Sequence, residues 1–124
     1  MPIIKVWCLP KSSEEKLKDL FDSIIEGAVS VKELGLKGEE DNTVLFPPDM
    51  MSYGLGTEII IEAKSRGFVP EKCSQATRDR FAEAMVTAVS KHFPKAKVEC
   101  FADPYYVGTT CGFAASKSEE ETVL

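Results

Sequence analysis

One histidine and one tryptophan stand in this chain of 124 residues. A metal centre needs several ligands brought together, and His92 with scattered acids does not supply one. Any Ser-His-Asp or Cys-His site would have to use His92, and nothing in the sequence places a nucleophile beside it. The residue falls at a predicted helix C-terminus, where the helix dipole favours a cation. No apolar run approaches the roughly 20 residues a membrane span requires. The four cysteines, Cys8, Cys73, Cys100 and Cys111, match neither a zinc pattern nor a C-x-x-C redox pair. They read as reduced thiols, with Cys8 and Cys100 turned inward as small hydrophobes. No basic patch with interleaved aromatics occurs, which argues against nucleic acid as the main partner. Gly54-x-Gly56 precedes a strand instead of opening a helix, so it is no phosphate loop. Met1-Pro2-Ile3-Ile4-Lys5 has neither the charged region nor the long apolar stretch of a secretion signal, and the expected compartment is the cytoplasm.

What is present is ordinary for a globular domain: 44% hydrophobic and 28% charged residues, with a net charge of −5. Two runs, Glu39-Glu40-Asp41 and Glu119-Glu120-Glu121, carry the acidity, and without them the balance would be +1. The acid therefore belongs to a loop and a tail rather than to a ligand site. The length suits one domain with its own core. We place that domain at residues 1–115 and expect a disordered acidic tail over 116–124. The last four residues, Glu121-Thr122-Val123-Leu124, have the form of a ligand for β-augmenting domains, a match short enough to read simply as tail.

Periodicity gives the elements. Residues 3–9 are β-branched and apolar and predict a strand. Ser12 and Ser13 offer an N-cap, Ser12 with Glu15 in capping-box spacing. Leu17, Leu20, Phe21, Ile24, Ile25 and Ala28 then give a helix over 14–29. Residues 43–46 read as a short strand ended by Pro47-Pro48. The order repeats: a strand at 57–63, a helix at 75–92, and a strand at 97–102, with a short edge strand or hairpin expected within 105–115. Strand–helix–strand occurs twice, with strand starts about 54–55 residues apart in both halves. Two such units predict an α+β fold, a four-stranded sheet with both helices on one face. The other face is then uncovered unless subunits associate. The strands are apolar at consecutive positions, which predicts burial of both faces and hence an oligomer.

Pro2 is the most specific chemical feature. Removal of Met1 before a small residue would leave a secondary amine at the start of a strand. An α-amine titrates nearer neutrality than lysine, and burial or a nearby cation lowers its pKa further. The neutral amine could take a proton from the carbon beside a carbonyl, and the protonated amine could donate one.

With this context the chain resembles the tautomerase superfamily, above all its longer members in the macrophage migration inhibitory factor and 5-carboxymethyl-2-hydroxymuconate isomerase groups. Pro2-Ile3-Ile4 sits where those chains begin. Phe46-Pro47-Pro48-Asp49-Met50-Met51-Ser52-Tyr53-Gly54 resembles the Val-Pro-Asp…Phe-Gly segment of the first group. Ser65-Arg66-Gly67 falls where that group has Ser-Ile-Gly, and Val107-Gly108 resembles its Asn-Val-Gly. The match spans roughly residues 2–113, and the order of the motifs carries it. The resemblance implies a homotrimer with sites at subunit interfaces, no cofactor and no metal. It implies Pro2 as the catalytic base. Lys37 and Arg66 would hold the carboxylate of a small keto–enol acid, Arg66 as a bidentate clamp. Glu99 and Phe101 stand where the migration-inhibitory-factor group has tyrosine and asparagine, a departure that sets this chain apart from phenylpyruvate-type chemistry in that group's manner. Phe101 could wall the site and depress the Pro2 pKa, and Tyr105 or Tyr106 could supply a hydroxyl donor.

Three functions follow from this reading. The favoured one is proton transfer by a cofactor-independent tautomerase. The second is hydration or dehalogenation of a haloacrylate, with protonated Pro2 as acid. The third is a non-catalytic binding protein on the same fold.

Overall fold

Alternation of buried and open residues organises the sheet. The computed structural model of the chain describes residues 2–48 and 57–116. Four strands appear, β1 (Ile3–Trp7), β2 (Thr43–Leu45), β3 (Glu58–Ser65) and β4 (Lys97–Pro104), with helices α1 (Glu14–Ser30) and α2 (Gln75–Ser90). Along β1, Ile4 and Val6 are buried, and along β3, Ile59, Ile61, Ala63 and Ser65. Their period of two places them on one face, where they meet Leu20, Ile24 and Ala28 of α1 and Phe81, Met85, Ala88 and Val89 of α2. The rings of Phe68 and Phe81 pack tilted at 57° with centroids 5.0 Å apart. No helix is long and apolar enough to cross a membrane among the described residues.

The sheet order is β2-β1-β3-β4, the middle pair antiparallel and both outer pairs parallel. This is the expected pair of strand–helix–strand units in a four-stranded sheet, with the helices on one face. Burial of both faces does not occur within a single chain. The consecutive apolar residues divide between the faces, so Trp7, Leu45 and Phe101 lie exposed on the side away from the helices. Charged residues share that side: Lys5 pairs in register with Glu62, and Glu62 with Phe101. The Trp7 indole donates to Glu62 Oε1 at 2.5 Å.

Local chemistry sets most boundaries. Ser13, not Ser12, caps α1, its hydroxyl accepting from the Lys16 N–H at 3.2 Å. The Ser12 hydroxyl donates instead to the Pro10 carbonyl. Ser74 caps α2 by accepting from the Thr77 N–H. β4 runs two residues beyond the expected end because its parallel pairing with β3 continues to Ser65↔Pro104. β1 stops at Trp7 because Cys8 takes φ 67°, a left-handed conformation that turns the chain out of the strand. The expected hairpin within 105–115 is a tight turn with a single Val107↔Cys111 bridge, passing through Gly108 at φ 88°.

The two helices touch closely at Gly27, where a Cβ would come within 3.2 Å of the Ala84 carbonyl oxygen and of the Met85 methyl. Arg80 pairs with Glu33 from the segment after α1. His92 Nε2 lies 2.7 Å from Ser23 Oγ, tying the end of α2 to the middle of α1.

Of the two cysteines expected inside, Cys100 packs against the core from β4, and Cys8 is half-buried in the turn after β1. Burial pushes the Cys100 thiol from 9.0 up to about 12. Between those values the unfolded chain releases this proton and the folded chain keeps it. The stability contributed by the neutral thiol is therefore complete below pH 9 and is lost as the pH rises toward 12. Relative to Cys100→Ala, the wild type should lose about 1.4 kcal/mol per pH unit within that window. Urea denaturation of both proteins from neutral to alkaline pH checks this; parallel curves would contradict it.

Candidate active site

Strand direction gathers the candidate residues. β1 and β2 begin at the sheet end where β3 and β4 finish, so Pro2, Thr43, Ser65 and Pro104 share that end. Pro2 is fully buried there. Its carbonyl accepts from the Thr43 N–H at 3.0 Å, which fixes it against the start of β2. The antiparallel register pairs Ile3 with Lys64, and one step further brings Pro2 alongside Ser65.

Arg66 follows directly on β3. Ser65 is buried, and its hydroxyl accepts from the Gly67 N–H at 3.0 Å, turning the chain sharply so that Arg66 comes out exposed. The guanidinium lies 4.0 Å from the centroid of the Phe113 ring. Among the described residues it has no hydrogen bond and no anionic partner, so its edge of N–H donors stays open to a ligand. A cation stacked on an aromatic face keeps that edge free, and the contact is worth about 0.5–1 kcal/mol at an exposed position.

Tyr105 continues from β4. Its N–H donates to the Ser65 carbonyl at 3.1 Å, and its ring lies under the Lys64 ammonium, 5.6 Å from the centroid. Ile3, Lys5, Glu62, Lys64 and Tyr105 line a small cleft of about 100 Å³ on the open sheet face. Lys64 and Arg66, on either side of Ser65, are thus each covered by an aromatic ring from the C-terminal segment.

The remaining candidates are less closely gathered. Lys37 is exposed on the loop that leads into β2, and its backbone N–H donates to Asp41 Oδ2 at 2.7 Å. No hydrogen bond or ion pair joins Lys37 to Pro2, Arg66 or Tyr105 among the described residues. Tyr106 is exposed, and its carbonyl accepts from the amides of Thr109, Thr110 and Cys111, so its role in a single chain is to close the turn. Phe101 is not brought to Pro2 within one subunit. It stands 56% exposed on the open face, midway along β4, and borders a separate groove with Gln75, Arg78 and Asp79 of α2. Glu99 lies on the same open face and pairs with Lys97 at 3.3 Å. Residues Asp49–Gly54 of the expected motif, Gly56 and the tail from residue 117 onward lie outside the described residues, as does Met1.

Several participants were not legible in advance. Lys64 and Phe113 sit in no motif, and only strand register and the return of the C-terminal segment bring them beside Arg66. Ser23 reaches His92 across 69 positions of sequence. The pair is a Ser–His contact that the sequence did not suggest, but both residues lie in the helix layer, remote from the Pro2 end in this topology.

No known protein-family profile matches the chain. No curated protein matches it either. Solved structures do. A wild-type fused 4-OT, an asymmetric trimer, superposes with a TM-score of 0.56 at 11% identity, covering 86% of this chain and 92% of that one. A native fused 4-OT gives 0.54 at 13% identity with the same coverage. A malonate semialdehyde decarboxylase gives 0.54 at 14% identity, covering 94% of this chain and 92% of that one. These similarities span nearly the whole chain, and they agree with the order of strands and helices derived above: the protein has the fold of the tautomerase superfamily.

Proposed function

We propose that this protein is a cofactor-independent enzyme that moves a proton in a small 2-keto or enol carboxylic acid, with Pro2 as the base and a homotrimer as the working form. The observation that carries the reading is the position of Pro2. It is buried at the start of β1, at the sheet end where Arg66 is exposed and, among the described residues, has no anionic partner. In this reading Met1 is removed, and the Pro2 nitrogen becomes a secondary amine. The neutral amine takes a proton from the carbon next to the substrate carbonyl. In an acid with a further C=C beside that carbon, the C–H electron pair moves into the new C=C bond and the carbonyl pair onto oxygen, giving a dienolate. The ammonium then returns the proton to the far carbon. Arg66 and Lys37 hold the substrate carboxylate, and the nearby positive charge stabilises the dienolate as its charge develops. Tyr105 offers its hydroxyl to the same oxygen in this reading.

The exposed aromatic face of the sheet supports assembly. Trp7, Leu45 and Phe101 lie open in one chain, and the similar fused 4-OT is a trimer. In a trimer Phe101 and Tyr106 would meet a neighbouring subunit, where they could complete its site. Sedimentation should give a mass near three chains; a fully active monomer would overturn this part of the reading.

A second reading has its own support. The similar decarboxylase was studied for both decarboxylase and hydratase activities, and a form with its first residue, a proline, changed to alanine was solved. In a hydratase or dehalogenase the Pro2 ammonium acts as acid, so the two readings predict opposite pH dependence. Isomerisation should rise as Pro2 loses its proton, and hydration should fall.

Ketonisation of phenylenolpyruvate and 2-hydroxymuconate, followed by ultraviolet absorbance, tests the main reading. Wild type should show a rate that collapses in Pro2→Ala, with Met1 removal confirmed by mass in both. Equal rates, or none in either protein, would reject it for these substrates. Arg66→Ala should raise KM about 10- to 100-fold, the cost of a lost charge-assisted hydrogen bond pair. Phe113→Leu should raise KM about two- to fivefold with kcat unchanged, and Phe113→Trp should restore it. A kcat effect without a KM effect would remove carboxylate binding from both residues.

A further inference from the structure

Asn42 holds the one buried side-chain polar atom left without a hydrogen-bond partner among the described residues, its Oδ1. The residue is only 6% exposed, and its Nδ2 donates to the Gly38 carbonyl at 2.8 Å. A buried, unpaired amide oxygen costs roughly 1–3 kcal/mol, so its retention calls for a donor. Asn42 immediately precedes β2 and is itself extended, with φ −133° and ψ 135°. β1 and β2 are parallel, with Ile3 opposite Thr43 and Ile4 opposite Val44. One step back along both strands sets Asn42 beside Pro2. By the same alternation both point to the helix side, as Ile4 and Val44 do.

We infer that Asn42 Oδ1 accepts a hydrogen bond from the amine of Pro2 once Met1 has been removed, making Asn42 the residue that positions the base. The inference rests on the reading of Pro2 given above. In the peptide-linked form the Pro2 nitrogen carries no proton and cannot serve the acceptor. The freed amine carries one N–H when neutral and two when protonated. Asn42 holds the first of these in both states. The lone pair of the neutral amine, or the second N–H of the ammonium, is then directed away from Asn42, and only that position exchanges a proton with the substrate. The processed terminus thus satisfies the orphaned acceptor, and the acceptor fixes the direction of the catalytic lone pair.

A hydrogen bond of this kind favours the charged amine, so Asn42 should hold the Pro2 pKa above the value it would otherwise have. Other groups act on the same amine. At this end of the sheet they are Lys64 and Arg66 from β3 and its turn, Asp103 and Tyr105 from β4, and Lys37 and Asp41 from the loop before β2. The helix side contributes the buried Cys73 thiol; Cys100 sits four residues back along β4 from Pro104, opposite Ile61. None of these changes in an Asn42 variant, so a difference between variants isolates Asn42.

The test is the titration of Pro2 itself. Protein labelled with ¹⁵N-proline is processed by methionine aminopeptidase and followed by NMR across the pH range. The N-terminal proline is the one proline nitrogen that titrates, because the others are amides. Asn42→Leu, close in size and without an acceptor, should titrate about half to one pH unit below wild type. Asn42→Asp, close in shape and charged, should titrate at least about one unit above it. A merely structural role would move neither value, and thermal unfolding of each variant verifies the fold. If Asn42→Leu does not fold, the upward shift in Asn42→Asp decides the matter, measured again in high salt, where a remote charge would be screened and a direct bond would not. A processed Pro2 that titrates alike in all three proteins would overturn the inference and leave the tautomerase reading intact. Persistence of Met1 on the native chain would overturn both.

Discussion

The antiparallel pairing of β1 with β3 is the constraint on which the site depends. Ile4 and Val6 fix the register by their burial, since a slip of one residue would turn them out of the core and bring Ile3, Lys5 and Trp7 in. With that register in place, the start of β1 must lie beside the end of β3. The parallel partners on either side follow, so the starts of β1 and β2 and the ends of β3 and β4 meet at one edge. Four residues are there because of strand direction: Pro2 before β1, Arg66 after β3, Tyr105 after β4 and Asn42 before β2. The helices supply the apolar layer that makes the register costly to change, and they contribute no group to the chemistry proposed for this end.

The same edge shows a division of charge. Among the described residues, Lys18 pairs with Asp22 and Lys97 with Glu99 at exposed positions. Exposed pairs of this kind contribute little stability, about 0–1 kcal/mol each. Arg66 and Lys64 differ in being set against aromatic rings instead of carboxylates. A ring binds a cation without consuming its hydrogen-bond donors, whereas a carboxylate occupies them. Among the described residues, the choice of partner therefore leaves two cations with free donors at the sheet end where β3 finishes. That is an arrangement suited to an anionic ligand and of little use as a structural tie.

Much of this was legible in the chain, and the parts that were not share a cause. Both helices, all four strands and their grouping into two units follow from local periodicity, because burial on one face imposes the spacing of Leu20, Ile24 and Ala28 or of Ile59, Ile61 and Ala63. Pro2 and Arg66 stand out through position and residue type. Serine capping was anticipated, but the choice of Ser13 over Ser12 turns on which hydroxyl is free, and Ser12 is bound to Pro10. Consecutive apolar residues suggested strands buried on both faces; a single chain covers only one, and the sequence does not distinguish a buried face from one that waits for a partner. Lys64, Phe113, Asn42 and the Ser23–His92 contact were invisible for a different reason. Each depends on a neighbour far along the chain, and no local pattern encodes which distant residue will arrive.

Asn42 illustrates how a polar group can be read when its partner is remote. Buried amides in a settled core are satisfied on both sides, because the low dielectric of the interior makes an unmet acceptor expensive. Elsewhere among the described residues the rule holds. Thr77 is buried and bonded to Ser74 and Arg80, and Ser65 to Gly67. An exception at the start of β2, directly opposite a proline whose nitrogen lacks a proton only while Met1 remains attached, is therefore informative about the mature protein. The peptide form leaves an acceptor without a donor, and the processed form creates a donor at that place. Under the proposed removal of Met1, folding and processing favour the same arrangement: the fold that buries Pro2 sets Asn42 beside it, and processing supplies the donor that the acceptor lacks. A proline retained only for rigidity at the head of a strand would give no reason for an unsatisfied amide oxygen to be kept beside it.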